Sequence, residues 1–124
     1  MTYYEERENM IKKAAQDAAN IPGYKVLKNP KRNYFHVITP SDRVIYVQLD
    51  EFFGMDANLE YKPSRKTDSG CRCNEEPFYN ITPELMKELE EDGLKFARQL
   101  KATHYKTSDE WLERYWEKDE LETV

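Results

Sequence analysis

The stretch Tyr34-Phe35-His36-Val37-Ile38-Thr39-Pro40-Ser41-Asp42-Arg43-Val44-Ile45-Tyr46-Val47-Gln48-Leu49 decides the fold. Tyr34–Thr39 and Val44–Leu49 are rich in β-branched and aromatic residues, which suit a pleated, half-buried surface. Pro40-Ser41-Asp42-Arg43 between them is turn chemistry, so the pair reads as two antiparallel strands. Working towards the N-terminus, Asn29-Pro30-Lys31-Arg32-Asn33 is a second turn and Tyr24–Leu27 a third β-rich run. A three-stranded antiparallel meander follows. Working towards the C-terminus, a loop over Asp50–Ala57 leads to a fourth strand at Asn58–Tyr61, which Pro63 ends.

The flanks change period. Thr2-Tyr3-Tyr4-Glu5 fits a capping box, in which the Thr side chain accepts from a backbone amide and the Glu returns a bond to the Thr amide. Met10, Ile11, Ala14, Ala18 and Ile21 then recur at three- and four-residue steps, which predicts a first helix ending near Ile21, before Pro22-Gly23. Thr82-Pro83-Glu84 places an N-cap before a proline at the first helical position, and Leu85, Met86, Leu89, Phe96, Ala97 and Leu100 follow at helical spacing. Thr107-Ser108-Asp109-Glu110 is a further capping box before Trp111, Leu112, Tyr115 and Trp116, a short third helix with a bulky aromatic stripe. Such a stripe is expected to be buried in the rest of the domain. The sum is an α+β domain spanning 1–124: two layers, with the sheet covered by the first two long helices.

Composition agrees with one core. The 124 residues are 39% hydrophobic and 35% charged, with nine Tyr, five Phe and two Trp as large burial units. No apolar run is long enough to span a bilayer, and the N-terminus lacks the basic-then-apolar order of a secretory signal. Cys71 and Cys73 are separated by one residue and cannot staple distant parts of the chain. A cytoplasmic, reducing location is the expectation.

The net charge of −5 conceals a segregation. Residues 24–49 carry Lys25, Lys28, Lys31, Arg32 and Arg43 against Asp42, and residues 62–73 carry Lys62, Arg65, Lys66 and Arg72 against Asp68. From residue 74 to 124 there are fourteen acidic and seven basic residues, an excess that attracts a basic partner and repels phosphate. Two candidate surfaces result. The acidic one comprises Glu84, Glu88, Glu91, Asp92, Glu113 and Glu117, and the basic one Lys62, Arg65, Lys66 and Arg72 with Lys31 and Arg32.

Chemistry is less well supplied. Cys71, Cys73, His36 and His104 are the Cys and His residues, but a one-residue gap between cysteines is not the spacing of a zinc site, so no metal or cofactor is expected. His36, inside a strand, reads as a packed or rim residue, and His104 as a residue near the end of the second long helix. Neither has a local nucleophile, and no GxxxxGK[ST] or GxGxxG pattern is present. The expectation is a protein without catalytic residues.

Two functions fit. The first is binding of a protein partner through the acidic helical half, with charge that imitates nucleic acid towards a basic groove. In type, though in no alignable motif, such a chain resembles the small acidic proteins that phages and mobile elements carry to inhibit host defence nucleases. The alternative is a binder of a nucleotide or single-stranded nucleic acid through the loop 62–73 and the basic sheet region, with Tyr34, Phe35 and Tyr46 as stacking faces. Self-association is compatible with either, and no membrane is involved.

Overall fold

A computed structural model describes residues 3–50, 54–59, 81–99 and 107–124. Helix α1 (Tyr3–Ala19) is followed by strands β1 (Lys25–Lys28), β2 (Tyr34–Ile38), β3 (Val44–Asp50) and β4 (Gly54–Leu59). Helices α2 (Pro83–Gln99) and α3 (Ser108–Arg114), a 3-10 turn at Lys118–Glu120 and strand β5 (Glu122–Thr123) complete the order. The sheet is antiparallel, in the order β4-β3-β2-β1-β5, so the expected α+β meander is present.

The period of two sorts the strands into two faces. Val26, Phe35, Val37, Ile45 and Val47 point to one side, where they meet Ile11, Ala14, Ala15, Ala18 and Ile21 around α1 and Ile81, Met86 and Leu89 around α2 in one buried cluster. The register sets Phe35 opposite Val47 and Val37 opposite Ile45, so this face is continuous across the central strands. Leu27 and Val44 point the other way and bury Trp111, with Ile38, Leu112, Tyr115 and Leu121 packed around them. Helix α3 therefore covers part of the second sheet face, an addition to the expected pair of layers.

Local chemistry explains the boundaries. Helix α1 stops at Ala19, two residues before the expected end, because the chain turns there: Ile21 N–H donates to the Ala18 carbonyl and Tyr24 N–H to that of Ile21. Gly23 takes φ of 87°, a left-handed conformation that glycine adopts without a steric cost. The Thr82 hydroxyl accepts from Leu85 N–H at 3.1 Å, and that of Thr107 from Glu110 N–H at 3.2 Å, as N-caps do. Thr82→Ala and Thr107→Ala should each lower stability by about 1 kcal/mol in denaturant melts. An unchanged midpoint would contradict either cap. Thr2, the first expected cap, lies outside the described residues.

Strand β4 includes Asn58 and Leu59 of the expected Asn58–Tyr61, whose last two residues lie with Pro63 outside the described ones, but it starts earlier. It begins at Gly54, and Asp50 pairs with Gly54 and Ile45 with Leu59, so much of the expected loop is strand. Gly, Asp, Asn and Ala are poor strand formers alone, and the backbone ladder of β3 overrides that preference. Strand β5 had no signal in sequence: two exposed residues, Glu122 and Thr123, pair with Lys28 and Leu27 of β1.

The β2–β3 turn ties both helical layers down. Thr39 Oγ1 accepts from Arg43 N–H at 3.0 Å, and Asp42 adopts φ of 63°. Ser41 Oγ donates to Glu90 Oε1 of α2 at 2.5 Å, and Ser108 Oγ of α3 donates to Asp42 Oδ1 at 2.5 Å. No helix among the described residues is long and apolar enough to cross a membrane.

Candidate partner-binding site

The second sheet face carries rings and polar groups together. Tyr34, His36 and Tyr46 come from β2 and β3, with His36 opposite Tyr46 in register. Trp111 and Tyr115 descend on them from α3 and its C-cap: the His36 ring lies 4.6 Å from Trp111 and 4.7 Å from Tyr115, and Trp111 stacks on Tyr115 at 4.7 Å. His36 is buried and its Nε2 lies 2.9 Å from the Tyr115 hydroxyl, which agrees with the expected packed histidine.

Beside these rings the carboxylate of Glu117 is almost wholly enclosed, at 2% exposure. Tyr34 donates its hydroxyl to Oε1, while Asn29 Nδ2 donates to Oε2 at 2.6 Å and Arg32 Nε at 3.1 Å. The Tyr115 hydroxyl is 3.4 Å from Oε1. Asn29, itself buried, also donates to Glu120 Oε2 at 2.8 Å and accepts from Lys31 N–H at 3.0 Å. The β1–β2 turn is thereby wired to the C-terminal segment. Burial pushes the Glu117 carboxyl up, but the hydrogen bonds from Tyr34, Asn29 and Arg32 outweigh it and hold the group below its ordinary value.

The same pair moves Tyr34 the other way. Burial, then its hydrogen bond to Glu117, pushes the phenol from 10.0 up to about 12. Its contribution to stability is complete below the ordinary phenol value and is lost as pH rises through the folded one. An ultraviolet phenolate titration of the parent minus that of Tyr34→Phe should show the missing group at the alkaline end. A difference centred near the ordinary value would contradict the burial of this hydroxyl.

Above the network sits Trp116, 75% exposed. The Arg32 guanidinium lies 5.8 Å from its ring centre and the Tyr115 ring 6.3 Å away. Arg32 is half exposed and anchored by Glu117, so Trp116 is held from beneath by a positioned cation. The C-terminal segment that carries Trp116 also exposes Asp109, Glu113, Asp119 and Glu120 against Arg114 and Lys118.

The residues nominated from sequence are divided by this arrangement. Glu84, Glu88 and Glu91 are exposed on α2, which belongs to the α1 side of the sheet, whereas Glu113 is exposed on α3 on the opposite side. Asp92 lies in α2, with its side chain outside the described residues. Glu117 is no surface carboxylate at all, because three donors of the β1–β2 turn and β2 enclose it. Lys31 is exposed, Arg32 is committed to Glu117, and Phe35, nominated as a stacking face, is fully buried in the α1–α2 core. Lys62, Arg65, Lys66, Arg72, Cys71, Cys73 and His104 lie outside the described residues.

Trp116 was expected to be buried with the aromatic stripe. On a continued helix, with successive residues offset by about 100°, Trp116 would lie beside Leu112 in the same stripe, but the helical spacing does not extend to it. The helix in fact ends at Arg114. The extended backbone of Tyr115 at the C-cap, not the helical period, sets the direction of Trp116.

Among the described residues no group of three or more His, Cys, Asp or Glu is arranged to hold a metal ion. No family model matches the chain, and neither a curated protein nor a solved structure matches it.

Proposed function

We propose that this chain is a non-catalytic domain that binds a basic protein partner through the acidic C-terminal segment that carries Trp116. The observation that carries this reading is the 75% exposure of a tryptophan held against Arg32 by a buried carboxylate. A large ring left in water has no role in the core, and Trp, Tyr and Arg are the residues on which interface energy concentrates. The excess of exposed carboxylates in the C-terminal segment favours a positively charged counterpart and steers its approach. A protein whose own groove is built for nucleic acid has that character, and inhibition of a host defence nuclease by a phage or mobile-element protein is the setting in which such a surface works.

The test is affinity capture from the native host, with and without nuclease treatment, using the parent and Trp116→Ala. The reading expects a basic protein retained by the parent after nuclease treatment and lost with Trp116→Ala. Capture that disappears on nuclease treatment would support the nucleic-acid alternative instead.

A further inference from the structure

On the other side of the sheet, where α1 passes over the edge formed by β1 and β5, lies a cavity of about 280 Å³ lined by Lys12, Lys28, Pro30, Glu122, Thr123 and Val124. Lys28 is 7% exposed, an uncommon degree of burial for a lysine. Its ammonium donates to the Asn29 carbonyl at 3.2 Å and the Arg32 carbonyl at 2.5 Å, which closes the β1–β2 turn. An ammonium has three N–H donors, and the third has no acceptor among the described residues. Glu122 stands opposite Lys28 in the strand register, but no described ion pair joins the two.

We propose that this cavity binds a small organic monocarboxylate, whose head group takes the third N–H of Lys28 with Lys12 as the second cation and whose short apolar body lies against Pro30 and Val124. Three features choose that chemistry. A buried ammonium with one donor to spare forms a short, charge-assisted bond to a carboxylate. Lys12, held 3.3 Å from Glu8 on α1, adds positive charge that is already partly balanced. Glu122 on the rim opposes a second negative charge, so a phosphate dianion is disfavoured relative to a monoanion. In accord with this, burial and then the Lys12 charge lower the pKa of Lys28, and a carboxylate beside it would offset both. The volume suits a ligand of several heavy atoms, since a water molecule takes about 30 Å³.

The experiment is an amide NMR titration of the full chain with butyrate, and in parallel with inorganic phosphate, in a buffer free of organic anions. Butyrate should produce saturable shifts at Lys28, Thr123 and Val124, with weaker binding of phosphate. Lys12→Gln should weaken butyrate about tenfold, equal to one charge-assisted contact of about 1.4 kcal/mol. Glu122→Gln should tighten it, and Lys28→Met should abolish it. Lys12 and Glu122 are exposed, so those two variants report on the site even where Lys28→Met disturbs the turn. Absence of saturable shifts, tighter binding of phosphate, or butyrate binding indifferent to the Lys12 and Glu122 variants would each overturn the proposal.

Discussion

Glu117→Ala should destabilise the protein by about 2–4 kcal/mol, because it strips the acceptor from donors that have been withdrawn from water. Asn29 and Tyr34 are held by β1, β2 and the turn between them, and the small alanine side chain cannot reach either. The value lies below that for breaking a fully buried ion pair, since half-exposed Arg32 regains hydration when its partner leaves. Glu117→Gln retains an acceptor and should cost less than Glu117→Ala. The pH dependence follows from the direction of the shift: a carboxyl held below its ordinary value contributes stability above the unfolded-state pKa and loses it as pH falls through the folded one. Denaturant melts of parent and Glu117→Gln should therefore converge in strong acid and diverge towards neutrality. Parallel curves at all pH values, or an unchanged Glu117→Ala midpoint, would show that the carboxylate does not anchor the C-terminal segment.

Much of the fold was legible because it rests on local chemistry. Thr82, Pro83 and Thr107 announce helix starts through hydrogen bonds within three residues, and the β-rich runs around Pro40–Arg43 carry their own turn. The start of strand β4 was read late, at Asn58 instead of Gly54, because its first residues are held by pairing with β3 rather than by their own preference. Strand β5 was invisible for the same reason. The site was less legible still. Glu117 is one of 24 acidic residues, and nothing near it in sequence separates it from Glu113 or Asp119. Its donors Asn29, Arg32 and Tyr34 lie more than eighty residues away and meet it only because β5 returns the chain to the edge of β1.

That return also determines which carboxylates can act together. Helices α2 and α3 pack on opposite faces of the sheet, so a partner seated on Glu113 and Trp116 does not require Glu84, Glu88 or Glu91. On the α3 side the exposed carboxylates of the C-terminal segment accompany an exposed tryptophan.

The binding account makes its largest claim about Trp116. Truncating a central anchor of an interface costs about 2–4 kcal/mol, so Trp116→Ala should weaken the complex with the captured partner by roughly 30-fold or more, chiefly through faster dissociation. The folded state should be little affected, because the removed ring is already mostly in water. Reversal of Glu113 and Asp119 to Lys should instead slow association and reduce its salt dependence. The most direct measurement is the dissociation constant of that complex for three proteins: the parent, Trp116→Ala, and the Glu84→Lys, Glu88→Lys, Glu91→Lys triple variant. The account predicts a large loss with Trp116→Ala and near-parent affinity with the triple variant. Full affinity in Trp116→Ala together with loss in the triple variant would contradict it and move the working surface to α2.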